Sequence, residues 1–314
     1  MSYPWGTERR FNAYSDYFRR QFGTRVQKIT IDAGFTCPNR DGLRGTGGCT
    51  FCNNQAFTPR YNRPGIPIRE QIARGMEFHR TRYRKATSYL AYFQSYSNTY
   101  AELETLQGLY EEALKVNGII GIVVGTRPDC VDAAKLDYLA ELGKQTYVVV
   151  EYGIESMFDH TLERVNRGHN VETSAWAVRE TARRGIRVGG HLIVGLPGEG
   201  KADFLETVDR ISRWPLNSIK FHQLQLIRGT VMEQEYHNHP GDFHLFAMED
   251  YLDFMVDYIE RLHPSIAIER IAGETPPRFA VTRPWGHRYD VVLRHFEYLL
   301  ESRDTWQGKH YRPS

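Results

Sequence analysis

Short apolar runs alternate along the chain with longer stretches whose apolar residues recur at helical spacing. The runs are RVQKITIDA (25–33), SYLAYFQ (88–94), GIIGIVVG (118–125), TYVVVEYG (146–153), RVGGHLIVG (187–195) and SIKFHQLQLI (218–227). Runs of this length, rich in Val, Ile, Tyr and Phe, predict strands. Helices are predicted between them, over 66–85, 100–116, 131–143, 171–184 and 201–213. Asp129 stands before VDAAKLDYLAELG as an acidic start, and Gly143 and Gly185 fall where helix C-caps belong. Strand and helix in strict alternation argue for a parallel sheet in an α/β fold. Six such units predict an open or partial (β/α)6 barrel, with a doubly wound sheet as the structural rival.

After residue 230 the rhythm changes. FHLFAMEDYLDFMVDYIERLHP reads as one amphipathic helix with apolar positions at 245, 246, 252, 255, 256 and 259. IAIERI (266–271) reads as a short strand and YDVVLRHFEYLLESR (289–303) as a last helix. The organisation expected is a basic amphipathic segment at 1–24, the partial barrel at 25–230 and a small α+β C-terminal extension at 231–314.

Composition narrows the class. The chain has 314 residues, 41% hydrophobic and 25% charged, ordinary for a globular protein. No apolar run approaches the roughly 20 residues that cross a bilayer, so no membrane partner is expected. MSYPWGTERRFNAY has no apolar core and is not a secretory leader. A cytoplasmic location is expected.

The net charge of +2 conceals an uneven distribution. Residues 1–28 carry Arg9, Arg10, Arg19, Arg20, Arg25 and Lys28 against Glu8 and Asp16, and residues 60–85 are richer still in Arg. Residues 242–274 are acid-rich. Basic segments interleaved with Tyr and Phe suit a phosphate backbone and stacked bases; a solvated basic face is the plainer alternative.

Chemistry concentrates in CPNRDGLRGTGGCTFCNN, directly after the first strand. Cys37 is followed after eleven residues by Cys49, and after two more by Cys52. Barrel enzymes build their sites on such loops, at the carboxyl ends of strands. Glycines at 42, 45, 47 and 48 let the loop wrap closely round a bound group. Three thiolates suit an iron–sulfur cluster with one open iron. Structural zinc is the rival; it wants four ligands, and Cys130 is the available fourth. Otherwise Cys130 is a small buried residue. GLPGEGK lacks the spacing of a phosphate loop, and no dinucleotide fingerprint or HExxH is present.

The three cysteines, with YFQSYSNTY, TRPDC, EYGIES, NRGH and HLIVGLPGE in order at successive strand ends, resemble the radical S-adenosylmethionine (SAM) superfamily. The wide first gap is similar to the branch near the Elongator catalytic subunit and to an uncharacterised bacterial family of similar length. The resemblance implies a partial (β/α)6 radical SAM barrel, a [4Fe–4S] cluster on Cys37, Cys49 and Cys52, and SAM on the fourth iron. It implies that Gln94 and Ser95 meet the SAM amino group, Glu155 the ribose and Arg167 the carboxylate. It implies a polar ribose contact for His191, with core packing as the alternative, and puts Glu151 at the same mouth to bind SAM or substrate. Phe51 is expected to shield the cluster, with ordinary packing as its alternative, and Gly195 and Gly198 to admit adenine, with a simple turn as theirs.

The activity implied is reductive cleavage of SAM to a 5′-deoxyadenosyl radical that takes hydrogen from a substrate. A flavodoxin- or ferredoxin-type electron donor is implied with it. The Elongator branch further implies tRNA, at the wobble uridine, as substrate. A small metabolite or protein side chain is the alternative, and a non-catalytic zinc-binding, nucleic-acid-binding module a third reading. RRFNAYSDYFRRQFGTR predicts a helix with Arg on one side and aromatics on the other, touching RNA or closing the open barrel.

Overall fold

The computed structural model describes residues 2–59, 61–62, 65–82 and 86–313. Of the basic run at 60–85, Arg60, Arg63, Arg84 and Lys85 lie outside the described residues.

Seven strands form one parallel sheet in chain order: β1 (Arg25–Ile31), β2 (Ala86–Phe93), β3 (Ile119–Thr126), β4 (Tyr147–Glu155), β5 (Arg187–Val194), β6 (Ser218–Gln223) and β7 (Ala267–Arg270). The sheet curls into a partial barrel, as the alternation predicts. The short strand read as part of the C-terminal extension joins the sheet as its seventh member, pairing Ser218 with Ala267 and Ile219 with Ile268.

Helices α2 (Ile68–Arg82), α3 (Leu103–Leu114), α4 (Ala133–Gly143), α5 (Asp159–Arg164), α6 (Val171–Arg183) and α7 (Lys201–Ile211) connect β1 to β6, and α8 (Val231–Asn238) and α9 (Met248–Arg261) lead to β7. Strand residues of one phase, such as Ile29, Ile31, Ala91, Phe93, Ile122 and Val124, are buried among helix residues such as Leu106, Tyr110 and Leu136. A period-2 strand must bury its two phases separately, and the second phase looks into the barrel.

That inner phase explains α1 (Tyr14–Phe22). Val26, Leu90, Tyr92, Val123, Tyr147, Val149 and Ala267 form a separate core with Tyr14 and Phe18, flanked by Tyr17 and Phe22. The aromatic side of α1 therefore fills the amino end of the barrel, where fully burying each ring is worth about 2–3 kcal/mol. Arg19 pairs with Asp16 within the helix, and Arg9, ahead of it in the chain, pairs with Asp16 and Glu297. Barrel closure is thus the role the packing supports for Tyr14 and Phe18.

The segment before α1 covers the free edge of β7. Ile268 donates its N–H to Asn12 O at 2.7 Å, and Asn12 N–H donates to the Gln307 side chain at 2.9 Å. Gln307 follows α10 (Tyr289–Ser302). Both chain ends thereby seal an edge that would otherwise offer unpaired backbone groups. Among the described residues no helix is long and apolar enough to cross a membrane.

Candidate active site

Above the aromatic plug lies a layer of ions. Lys28 on β1 sits 2.5 Å from both Glu151 on β4 and Glu269 on β7, and Lys220 on β6 lies 2.7 Å from Glu151 and 3.1 Å from Glu269. Lys220 also donates to the Tyr92 hydroxyl at 3.0 Å, and His191 Nε2 meets Glu151 at 2.9 Å. Both ammonium groups lie over the Tyr92 ring. Glu151 is 1% exposed, which alone would raise its pKa. The two lysines and the His191 hydrogen bond outweigh burial and hold it well below the ordinary carboxylate range. Gly189 makes the room: a Cβ there would lie 2.8 Å from Glu151 Cγ.

The layer is the floor of a cavity of about 1030 Å³ that Cys37, Cys49 and Cys52 also line. The loop bearing the thiols folds back on itself through an Asp41–Thr46 bridge. Close packing demands two of its glycines: at Gly45 a Cβ would strike Asn39 Oδ1 at 2.4 Å, and at Gly48 Arg40 Nε at 2.8 Å. The loop is tied to the segment after α5. Thr50 N–H donates to Val165 O at 3.0 Å, Asn166 Nδ2 to Gly48 O at 2.8 Å, and Asn39 Nδ2 to Asn166 O at 2.5 Å.

This tie delivers Arg167, 6% exposed, to the thiols. Its Nη1 lies 3.5 Å from Cys49 Sγ, its Nη2 donates to Gly153 O at 2.6 Å, and Glu155 is 3.5 Å away. Arg40 donates to Cys52 O at 2.9 Å, its guanidinium 5.8 Å from the Tyr96 ring centroid. Burial and the neighbouring Cys49 push the Cys52 thiol up, with Arg40 and Arg167 opposing.

Of the residues singled out by sequence, Phe51, Gln94, Glu151, Glu155, Arg167 and His191 all line this cavity with the thiols. Ser95 is buried and its carbonyl accepts from Asn98; Ser97 lines the cavity instead. Tyr96 between them takes a left-handed φ of 61°, which turns the chain after β2. Glu151 faces the cavity but its oxygens are committed to the ion layer. Gly195 is backed by the His244 carbonyl, 3.3 Å from a Cβ built there, so packing demands it. Gly198 does not line the cavity.

Cys130 also lies outside the cavity lining, its thiol pushed up to about 12 mainly by burial. Among the described residues no three His, Cys, Asp or Glu side chains gather tightly round one point as ligands of a single ion. The three thiols instead face shared space, and soft thiolates beside guanidinium groups fit a cluster.

Sequence reading missed Lys28, Lys220 and Glu269. The trace they leave is a charge in the inward phase of an apolar strand: Lys28 alternates with Val26 and Thr30, and Lys220 with His222.

A curled parallel sheet with chemistry gathered at the carboxyl ends of its strands defines a barrel enzyme of the α/β class. The Radical SAM superfamily model matches residues 40–211 and the Radical_SAM C-terminal domain model residues 216–297. The chain belongs to the radical SAM superfamily. It is accordingly an enzyme whose cofactors are a [4Fe–4S] cluster and SAM. It is 34% identical over 311 residues to the uncharacterized protein YtqA of Bacillus subtilis, covering 98% of this chain and 94% of that one. A more distant relative is the tRNA uridine(34) acetyltransferase of Methanocaldococcus infernus, 26% identical over 176 residues, or 53% of this chain and 32% of that protein. The solved structure of Elp3 from the same archaeon, lacking its N-terminus, superposes with a TM-score of 0.67 at 17% identity, covering 90% of this chain and 64% of that chain.

Proposed function

We propose that this radical SAM enzyme abstracts hydrogen from a nucleotide of tRNA, with the wobble uridine as the candidate position. The observation that carries the site assignment is one cavity lined by all three cysteines together with Gln94, Glu155, Arg167 and His191.

In this reading Cys37, Cys49 and Cys52 hold the cluster. When bound, the cluster and SAM together supply a one-electron cleavage that yields a 5′-deoxyadenosyl radical. Arg167 carries positive charge beside Cys49 and is held there by Gly153 O and Glu155. Its Nε is buried without a partner, a donor free for the SAM carboxylate. Glu155 offers an acceptor for ribose hydroxyls, and Gln94 one for the SAM amino group. His191 faces the cavity from β5, its Nε2 fixed by Glu151, which leaves the rest of the ring for a ribose or substrate contact. Phe51 offers an apolar face to the cavity beside the thiols.

Support for RNA comes from likeness to tRNA uridine(34) acetyltransferases over about half of this chain. The matched part is a third of that protein, so hydrogen abstraction and not acetyl transfer is the activity proposed.

Anaerobic purification followed by iron, sulfide and zinc analysis, with a dithionite-plus-SAM assay for 5′-deoxyadenosine, tests the site. About four irons with matching sulfide per chain are expected, lost with the activity in Cys49→Ala. Stoichiometric zinc with no SAM cleavage sinks the assignment. Stimulation of 5′-deoxyadenosine release by tRNA, and not by protein or metabolite extracts, tests the substrate.

A further inference from the structure

The cations of the cavity fall into two groups. Lys28 and Lys220 are neutralised by Glu151 and Glu269. Arg127 is held by both oxygens of Asp129 at 2.8 Å, and Arg167 by Glu155 and Cys49. Arg40 has no carboxylate partner among the described residues, but it donates to the Cys52 carbonyl and lies by the Tyr96 ring. Two remain. Arg270, at the end of β7, and Arg278, in the loop after it, line the same cavity. Among the described residues neither has a hydrogen bond or an ion pair to a carboxylate; the Arg278 guanidinium lies over its neighbour Phe279 at 4.8 Å. Glu274 on the same loop accepts from the Tyr289 N–H instead.

The wall that carries them is firmly built. Gln223 bonds both backbone groups of Gly273, at 2.8 and 2.9 Å, and Thr275 Oγ1 donates to Gln225 at 2.5 Å. Arg228 N–H donates to Phe279 O at 2.7 Å and Val281 N–H to Leu226 O at 2.9 Å. His222 on β6 lines the same space and offers a hydrogen-bonding group there; burial, reinforced by Arg270, lowers its pKa. Both arginines are exposed at the open side of the cavity, as are Tyr96 and Phe57 on its rim. Guanidinium groups that stay in solvent while the cavity runs inward suit a ligand whose anion remains outside. A nucleic-acid strand is such a ligand: its backbone stays at the mouth while one base enters.

We propose that Arg270 and Arg278 form the phosphate subsite for an RNA strand, with Tyr96 and Phe57 as stacking faces for the bases beside it. This rests on the RNA reading above. It differs from that reading in fixing where the backbone is held.

The test is binding of a labelled, unstructured oligoribonucleotide to the reconstituted full chain, titrated over salt. In Arg270→Gln/Arg278→Gln the affinity at low salt is expected to fall about tenfold or more, and the slope of log K against log salt to become shallower by about 1.4, or 0.7 per phosphate contact. Arg270→Lys/Arg278→Lys is expected to keep the slope. Iron content and the circular-dichroism melt establish that each variant is folded. Wild-type binding that is unchanged in the glutamine variant, in affinity and slope, overturns the subsite and leaves the RNA reading standing. No salt-dependent binding by the wild type overturns both. Arginine-dependent binding of AMP or inorganic phosphate without binding of the oligonucleotide overturns the RNA strand as the source of the phosphate.

Discussion

The two ends of the barrel interior use the same strand phase for opposite purposes. At the amino end, Val26, Leu90, Val123, Tyr147 and Val149 pack against the aromatic face of α1. Two to four residues further along β1, β2, β4 and β7, Lys28, Tyr92, Glu151 and Glu269 form the ion layer together with Lys220 from β6, and beyond it the barrel opens into the cavity with the thiols. One end gains stability by excluding everything; the other keeps its polar groups satisfied around a space. The lesson is that the ion layer is the boundary between them. It lets a buried surface be polar toward the cavity while remaining neutral in sum.

The sharpest way to break that division is at Glu151, which touches both lysines and His191. Glu151→Ala leaves two buried ammonium groups sharing Glu269. Removing one partner of a buried ion pair costs about 3–5 kcal/mol, expected as a lowered urea midpoint with an unchanged m-value. The pH dependence sharpens the point. The folded pKa of Glu151 is depressed, so its contribution is fully present above the ordinary carboxylate range near about 4.3 and is lost as pH falls through the lower, folded value. Wild type should therefore lose stability below about pH 4 more steeply than Glu151→Gln. Equal acid slopes in the two proteins would show that the network does not hold the carboxylate ionised.

A smaller effect is expected from the plug. Phe18→Ala removes a ring packed 4.4 Å from Tyr14 and 5.8 Å from Tyr147, centroid to centroid, and should cost about 3 kcal/mol. Because the ion layer intervenes, iron content after reconstitution should be unaffected. Loss of iron in a variant that remains folded would mean that the two ends are not independent.

What the sequence carried plainly was whatever is local. Strand periodicity and cysteine spacing are written in consecutive residues, so the parallel half-barrel and the thiol loop could be read directly. The ion layer could not, because Lys28 finds its partners 123 and 241 residues away, and one charge in one strand has no local meaning. The seventh strand was seen but assigned to an extension: at four residues, following the inserted helices α8 and α9, it offers no periodicity that ties it to β6. Ser95 was named from the resemblance alone, and the left-handed φ at Tyr96 that turns the chain after β2 leaves no trace in the sequence. The N-terminal helix was amphipathic as expected, but periodicity cannot say what its aromatic face covers.

The smallest effect is expected at Cys130, and it discriminates between metals. Cys130 belongs to a buried corner: its carbonyl accepts from Thr99 Oγ1 at 2.7 Å, which in turn meets Thr126. Its thiol is pushed up to about 12, so it stays protonated at neutral pH, whereas a metal ligand must give up that proton. Cys130→Ala should then cost only about 1 kcal/mol and leave the iron and sulfide content of the reconstituted protein intact. A fourth zinc ligand would behave differently, since its loss opens a closed tetrahedral site and releases the metal. Metal analysis of Cys130→Ala beside Cys49→Ala therefore separates the two: parallel metal loss would make Cys130 a ligand, and loss in Cys49→Ala alone keeps the site at three thiols.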